Sequence, residues 1–247
     1  MNLAAMQPYF FPYLGQFDLL NQADLWIAFD TAQYIRHGWV NRNRVLHASA
    51  GWQYAVVPVE KHSRTTPINQ IVIADQADWK TRIFRQLYHY HMDAPYYAQV
   101  IRFLKESFAQ PERNMARLNI DLFRSVSRQL GIETPIQVFS EMELSLEGAN
   151  GPEKLALALC DAIGADGYIN PPGGAHLYDA RRFAEQGVAL AIQTYTPMSY
   201  ACGRYQFEPN MSVIDVMMWN SPAEIKHYLD TFRHHHESSG THGRIAA

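Results

Sequence analysis

LAAMQPYFFPYLG, residues 3–15, joins a short apolar segment, an aromatic loop and the beginning of a helical pattern. Pro8 and Pro12 exclude a helix interior and a central strand, so the aromatic residues near them lie on stiff, extended backbone. After Gly15 the apolar residues recur at helical spacing. In an open α/β sheet, this succession brings the loop to the carboxyl end of a strand, where ligands bind. The stretch therefore predicts an α/β fold with a binding loop near its N-terminus.

A second unusual stretch, GWVNRNR, occupies residues 38–44. Its two guanidinium groups match the geometry of carboxylates and phosphates, and Trp39 can cover a sugar ring or a base. The alternative is an exposed polar turn between two strands, with Trp39 in the core. Asp30, Gln33 and Tyr34, expected at the end of the preceding strand, favour a site. The residues alone leave both interpretations open.

Three motifs in this order, QPYFFPYLG, FD-x-x-QY and GW-x-NRN, resemble the WbqC-like family. The resemblance continues to about Leu229. It implies a protein associated with genes for bacterial O-antigen and related surface polysaccharides, and transfer of glycine or a similar acyl group onto an amino sugar. Two stretches depart from the family pattern, Asn170-Pro171-Pro172 and Ala201-Cys202. Both departures could mean a changed acceptor or donor.

Composition narrows the class of protein further. The chain has 247 residues, 47% of them hydrophobic, which is enough for one large core. A formal net charge of -3 argues against a nucleic-acid-binding protein, which needs a strong basic field. The 14 Tyr and 5 Trp are a surplus that often lines a sugar or small-molecule cleft.

The expected compartment is the cytoplasm. Cys160 and Cys202 are the two cysteines, too few for a disulfide framework and suited to a reducing environment. The N-terminal residues do not form a signal peptide, and no run of about 18 apolar residues predicts a membrane span.

Periodicity predicts an α/β fold with a mostly parallel, three-layer sheet and an inserted helical segment. We expect a single α/β domain over residues 1–232, with the helical insertion at about 78–131, beginning at an Asp78 cap and ending at Gly131. Residues 233–247, with three consecutive His and then Ser and Gly, predict a disordered tail.

The pattern also predicts individual elements. Strands are expected at Gln53–Val59, Asn69–Ala74, Pro135–Phe139, Gly167–Asn170 and Val188–Tyr195. Helices are expected at 152–163, 177–186 and 213–219, the last capped by Ser212.

Acyl transfer to an amine requires a base or a positioned amine, together with donors facing the developing oxyanion. Asp30 is the first candidate for the catalytic base, beside the Gln7–Tyr13 loop, and His37 is the second. Arg42 and Arg44 could hold the diphosphate of a sugar nucleotide or the phosphopantetheine of a carrier protein. The full set of expected substrate-binding residues is Gln7, Tyr9, Tyr13, Gln33, Tyr34, Trp39, Asn41, Arg42, Asn43 and Arg44.

Other chemistry has weaker support. The metal-binding patterns HExxH and CxxC do not occur, and we expect neither a metal nor an organic cofactor. Cys202 is followed by Arg204, a cation that could lower the pKa of a thiol, but no partner His is evident. We therefore expect Cys202 to be dispensable.

The function expected from the sequence is transfer of a small acyl or aminoacyl group, such as glycyl, onto an amine, most plausibly that of a nucleotide-linked amino sugar. An acyl or aminoacyl carrier protein is a possible partner, whereas nucleic acid and membrane are not expected. One alternative is a nucleotidyltransferase or adenylating enzyme, although Pro12-Tyr13-Leu14-Gly15 stands where the HIGH motif would be. The other alternative is a non-catalytic module that binds a sugar or a carrier protein.

Overall fold

The computed structural model describes residues 1–74, 78–146 and 148–239. Five strands form a parallel sheet within this part of the chain. In chain order they are β1 (Asn2–Met6), β2 (Leu25–Ala28), β5 (Ile136–Val138), β6 (Gly167–Asn170) and β7 (Ala189–Ile192). The strands β3 (Arg42–Leu46) and β4 (Trp52–Val56) lie between β2 and β5 in the sequence and form a separate hairpin. The predicted α/β class with a mostly parallel sheet is confirmed.

The spatial order of the sheet is β5-β2-β1-β6-β7. The first strand of the chain therefore lies at the centre. Successive strands are added first on its β2 side and then on its β6 side. The order reverses between β1 and β6, and in open α/β sheets ligands bind outside the carboxyl ends of the strands at such a point.

Helices cover both faces of the sheet because the side chains of each strand alternate between two hydrophobic clusters. Ala4 and Trp26 face one cluster, while Leu3 and Ile27 face the other. The helices α1 (Leu14–Gln22) and α4 (Met115–Gln129) pack against the first face, and α5 (Pro152–Ile163) and α6 (Ala180–Glu185) pack against the second. The helices α7 (Val213–Trp219) and α8 (Pro222–Ser239) belong to the same cluster as the first face, and α8 packs against α1. This arrangement is the predicted three-layer sheet.

Three helices fill the segment where a helical insertion is expected. They are α2 (Trp79–Leu87), α3 (Tyr97–Ser107) and α4. The Asp78 carboxylate caps α2 by accepting from the backbone N–H of Thr81 at 3.1 Å. Phe123 of α4 packs against Trp26, with 5.1 Å between the ring centres, so the last helix of this segment belongs to the sheet's own layer.

A two-stranded antiparallel sheet stands beside the parallel one. It pairs β3 (Arg42–Leu46) with β4 (Trp52–Val56). Three residues of the polar NRNR run, Arg42 to Arg44, therefore lie on a strand whose alternate residues face in opposite directions: Asn43 and Val45 are buried, whereas Arg42 and Arg44 remain partly exposed.

Some predicted elements differ from those observed. The expected strand Asn69–Ala74 is instead a short 3₁₀ turn, Ile68–Gln70, followed by isolated bridges at Val72 and Ile73. Helix α8 continues through residues 233–239, where the sequence predicts the start of a disordered tail; residues 240–247 lie outside the described residues. Among the helices described, none has the length and apolar character needed to cross a membrane.

Candidate functional site

A cleft of about 510 Å³ opens at the carboxyl ends of β1 and β6, where the strand order reverses. The strand ends Met6 and Asn170 form its floor, and three segments form its walls: the aromatic loop, the start of β3 and the loop after β6. The lining residues are Met6, Tyr9, Pro12, Tyr13, Gln16, Trp39, Asn43, Arg44, Asn170, Pro171, Gly173, Gly174, Leu177, Tyr178 and Asn210. We call it the switch-point cleft.

The aromatic loop of this cleft is held by amide and hydroxyl side chains from distant elements. The Asn43 amide donates to the carbonyls of Phe10 and Phe11, at 3.1 and 2.9 Å. The Ser212 hydroxyl also donates to the Phe11 carbonyl, at 2.8 Å, and the Asn119 amide donates to that of Pro8, at 2.9 Å. These buried bonds stabilise Phe11 in a backbone conformation with φ of 39°, which a phenylalanine rarely adopts.

Glycines allow two close contacts around the cleft. The Tyr13 ring lies against Gly15 in the first turn of α1, where a Cβ would overlap the ring. In the loop after β6, a Cβ on Gly174 would lie 2.8 Å from the Asn170 amide nitrogen. Both glycines are therefore required by packing, since any side chain would displace a residue that lines the cleft.

Two nitrogen donors at the cleft have no hydrogen-bond partner among the described residues. Gln16 is only 3% exposed, yet its Nε2 is unpaired, and so is the buried Nε of Arg44. The Arg44 Nη2 does donate to the Asn210 carbonyl, at 2.9 Å. A buried donor without a partner is costly unless something else accepts from it. These two groups point to a ligand that carries acceptor atoms.

Aromatic rings surround Arg44, the single cation among the described residues that line the cleft. The guanidinium of Arg44 lies 5.6 Å from the ring centre of Trp39 and 5.3 Å from that of Trp52. Tyr9 and Tyr13 also line the cleft, and burial raises the pKa of both phenols, which keeps them protonated at neutral pH. Flat rings beside a guanidinium suit a sugar or base attached to a phosphate.

No Asp, Glu, His or Lys appears among the residues described as lining the switch-point cleft. The ionisable groups there are Arg44 and tyrosines. Among these described lining residues, no side chain would accept a proton at neutral pH, so the chemistry that they offer is binding and orientation.

Asp30 lies in a second cleft of about 630 Å³, next to the carboxyl ends of β2 and β5. It is 3% exposed, and its carboxylate accepts from the Ser140 backbone N–H at 3.0 Å and from the Ser140 hydroxyl at 2.6 Å. Arg117 and Arg124 of α4 also line this cleft, together with Asp121 and Glu141. Asp30 thus fixes the segment after β5 and does not face Tyr13 or Arg44.

A gap of about 10 Å³ lies between the two clefts. It shares Tyr9 and Gln16 with the switch-point cleft and Ile120 with the second one. Gln7 lines this gap and neither of the larger cavities. The start of the aromatic loop therefore separates the two clefts.

The remaining expected site residues have structural contacts. Asn41 accepts from the Tyr34 hydroxyl and donates to the Val57 carbonyl, both at 2.8 Å. Gln33 donates to the Arg64 carbonyl at 2.8 Å. Arg42 lies over the Tyr54 ring, 4.0 Å from its centre.

The turn before β3 holds the second candidate base. Arg42 donates to the backbone carbonyls of His37 and Gly38, and His37 has a positive φ of 63°. His37 lines neither cleft. Neither candidate base therefore lines the switch-point cleft: the start of the aromatic loop, at Gln7, separates Asp30 from it, and His37 lies on the exposed turn before β3.

The sequence predicts that Tyr9, Tyr13, Trp39, Asn43 and Arg44 bind the substrate, and in the structure these five residues line one cleft. It missed Gln16, which lies in the first turn of α1 just after the aromatic loop, and it missed Tyr178 and Asn210, which come from segments far away along the chain. The signal that was available is the Gly173-Gly174 pair directly after a predicted strand, which the structure places in the cleft wall.

The departure at Ala201-Cys202 lies beside a buried acid. Asp215 is 1% exposed and accepts from the hydroxyls of Tyr90 and, at 2.7 Å, Tyr200. Burial, and then the charge of Asp215, raise the pKa of the Cys202 thiol to about 12. The thiol is therefore protonated at neutral pH, which makes a nucleophilic thiolate unfavourable. In the described part of the chain, no group of three or more His, Cys, Asp or Glu is arranged to hold a metal ion.

Comparison with known proteins identifies two likenesses. The model of the WbqC-like protein family matches residues 7–227. The uncharacterized protein Rv1507c of Mycobacterium tuberculosis (strain ATCC 25618 / H37Rv) is 28% identical over 230 residues, which covers 92% of this chain and 97% of that protein. No solved structure matches the chain.

Proposed function

The chain belongs to the WbqC-like protein family, and from that premise we propose that it transfers a small acyl or aminoacyl group to the amine of a nucleotide-linked amino sugar bound in the switch-point cleft. The observation that carries the binding half of this proposal is the pair of unpaired donors, Gln16 Nε2 and Arg44 Nε, in an aromatic cleft at the reversal of strand order. The transfer half rests on the resemblance of the sequence motifs to the family.

The chemistry of the cleft fits the parts of such a substrate. A diphosphate supplies acceptor oxygens and negative charge for Arg44, the only cation lining the cleft among the described residues. Trp39 and the tyrosines offer flat apolar surfaces for a sugar ring or a base. Gln16 can donate to a sugar hydroxyl or to a carbonyl oxygen.

The transfer step can proceed without a side-chain base. The lone pair of the amine nitrogen attacks the carbonyl carbon of an acyl thioester, a C–N bond forms and the C–S bond breaks. The departing thiolate takes up the proton that the amine releases, so atoms and charges balance. What the protein contributes is alignment of the two reactants, an effect that can be large even where no group exchanges protons.

Nucleotidyl transfer or adenylation is the second candidate, and one observation favours it. The strand order, with the first strand central and later strands added on either side, is that of doubly wound nucleotide-binding sheets. An absolute requirement for ATP, with release of pyrophosphate, would identify this reaction. The third candidate, a binding module, predicts tight binding with no product of any kind.

The test combines binding and product analysis. Calorimetric titration with a uridine diphosphate-linked amino sugar should show saturable binding, and Arg44→Ala should weaken it by roughly 10- to 150-fold, equivalent to one lost charge-assisted contact of about 1.5–3 kcal/mol. Arg42→Ala is the matched control, because Arg42 lies outside the cleft on the same strand. Equal losses for the two variants would contradict the proposed site.

Mass spectrometry of the sugar nucleotide then tests the transfer. Incubation with an acyl thioester should add the mass of the acyl group, and a substrate whose amine is already acetylated should bind but gain no mass. Mass gain on the blocked substrate would show that the amine is not the acceptor.

A further inference from the structure

The hairpin β3–β4 presents an exposed face of alternating arginines and aromatic rings next to the switch-point cleft. Arg42 lies over Tyr54 and Arg44 lies between Trp39 and Trp52. Trp52 and Tyr54 make an edge-to-face contact, with 4.9 Å between their ring centres. We call these five residues the hairpin face.

The hairpin face is open to solvent at its aromatic residues. Trp39 and Trp52 are each 40% exposed, and the adjoining turn adds Ile35 at 57% exposure. Large apolar side chains grouped at the surface mark interaction sites more often than singly scattered ones do. Folding alone does not account for two tryptophans this exposed, one in the turn before β3 and one on β4.

Charge separates this region from the rest of the molecule. Residues 31–59 contain Arg36, Arg42 and Arg44 and no Asp, Glu or Lys, although the chain as a whole carries a net charge of -3. Among the described residues, no carboxylate pairs with Arg42 or Arg44. The region is therefore a local cationic patch on an acidic protein.

The composition of the patch indicates the class of partner. Trp, Tyr and Arg are the residues that dominate binding energy at protein–protein interfaces, whereas Lys, Glu and Asp are depleted there. A nucleic acid would require a much larger basic field than this acidic chain offers. An acidic protein matches both the cations and the exposed rings.

Continuity with the cleft indicates what such a protein would bring. Trp39 and Arg44 belong both to the hairpin face and to the wall of the switch-point cleft, whereas Trp52, Tyr54 and Arg42 lie outside the cleft. A partner seated on the face is thus next to the mouth of the cleft. An acyl group carried on an extended arm could enter past Trp39 while its protein stays outside.

We propose that the hairpin face docks an acidic acyl carrier protein, whose phosphopantetheine arm delivers the group to be transferred into the switch-point cleft. This inference rests on the proposed function for the identity of the cargo. The docking surface itself rests on the charge, exposure and composition of the hairpin.

Fluorescence anisotropy with a labelled holo acyl carrier protein, and with its apo form, tests the docking. The full chain should bind both forms, because contacts are made by the surface of the carrier as well as by its arm, and high salt should weaken both. Trp52→Ala and Arg42→Glu should each weaken binding more than tenfold. No binding of either form, or binding of the holo form alone with no effect of these variants, would overturn the proposal.

The control for charge is Arg181→Glu, which changes the net charge by the same amount as Arg42→Glu does. Arg181 lies on α6, which packs on the opposite face of the parallel sheet. It should leave carrier binding unchanged, so a loss equal to that of Arg42→Glu would refute a defined docking face. Displacement of the carrier by a single-stranded oligonucleotide, with the same dependence on Trp52, would also refute it in favour of a nucleic-acid surface. Thermal unfolding of each variant checks that the hairpin is folded.

Docking and sugar-nucleotide binding can fail independently. Arg42→Ala should leave the affinity for the sugar nucleotide unchanged, because Arg42 does not line the cleft. Carrier binding without sugar-nucleotide binding would preserve the docking face and remove the proposed acceptor. Sugar-nucleotide binding without carrier binding would preserve the proposed acceptor and remove the docking face.

Discussion

Replacing Asp18 with asparagine is expected to raise the free energy of unfolding at neutral pH. Asp18 lies in α1 and is fully buried. One carboxylate oxygen accepts from Gln193 Nε2 at 2.5 Å and from Gln22 Nε2 at 2.7 Å, while Oδ1 has no partner. Burial outweighs the two hydrogen bonds and raises the pKa of Asp18 from 3.8 to about 6.

Because burial raises the pKa of Asp18, the free energy of unfolding depends on pH. Between pH 3.8 and about 6, the folded state holds a proton on Asp18 that the unfolded state has lost. The free energy of unfolding therefore falls as the pH rises through this range, and the loss is complete above it. About two pKa units at 1.36 kcal/mol each amount to roughly 3 kcal/mol. Asparagine resembles the protonated acid in shape and stays neutral, so it avoids this loss.

Urea unfolding of the wild type and Asp18→Asn over about pH 4 to pH 8 gives the free energy of unfolding of each protein. The difference between the two values removes the contributions of the other carboxylates. The two proteins should have similar stability at the acid end, and the variant should gain up to roughly 3 kcal/mol at the neutral end. Asp161→Asn, at an exposed position of α5, controls for the change in net charge. A variant less stable than the wild type at neutral pH, or a difference independent of pH, would refute the reasoning.

Four further substitutions test the assigned roles. Asn43→Ala should destabilise the fold by about 2–4 kcal/mol in urea unfolding, because it leaves two buried carbonyls of the aromatic loop with fewer donors; a neutral result would mean that the loop holds its own shape. Tyr90→Phe should cost about 1–3 kcal/mol, since the hydroxyl joins the Leu46 backbone N–H to Asp215, and unchanged stability would contradict that link. Cys202→Ser should keep kcat and KM in the transfer assay, whereas lost turnover with retained binding would reveal a thioester intermediate. Asp30→Asn should lower stability by about 1–3 kcal/mol through its bonds to Ser140 and leave turnover nearly unchanged; a hundredfold fall in kcat with the fold intact would restore Asp30 as the base.

Local signals were sufficient for much of the fold. Helix 152–163, strand 167–170 and helix 213–219 begin and end where the sequence predicts them, because Pro, Gly and a capping Ser mark their ends within a few residues. The strand predicted at Asn69–Ala74 is wrong because the β-type residues there pack individually against neighbouring segments and form only single bridges. Alternation of apolar residues does not reveal whether a pairing strand is present.

The roles within the NRNR run could not be predicted for a related reason. Asn41, Arg42, Asn43 and Arg44 look equally suited to bind a ligand when they are read in a row. Their partners lie far away along the chain, as the bonds from Asn43 to Phe10 and Phe11 show. Within β3, strand geometry separates the buried Asn43 from the partly exposed Arg42 and Arg44, while Asn41, just before the strand, is held by Tyr34 and Val57. The sheet order, which brings the loop after β6 into the cleft, is likewise a property of the tertiary structure alone.

The absence of a side-chain base among the described residues of the switch-point cleft is consistent with a reaction that needs little acid–base assistance. An amine attacking a thioester brings its own nucleophile and its own leaving group, and the thiolate that departs accepts the proton. Precise placement is then the main requirement, and three distant side chains, Asn43, Asn119 and Ser212, fix the loop that forms the wall. A hydrolytic or phosphoryl-transfer enzyme would have to activate water or stabilise a transferring phosphoryl group, and a cleft with one arginine and several protonated tyrosines is poorly equipped for either. Acyl transfer to an amine therefore fits this cleft better than nucleotidyl transfer does, even though the sheet order suits both.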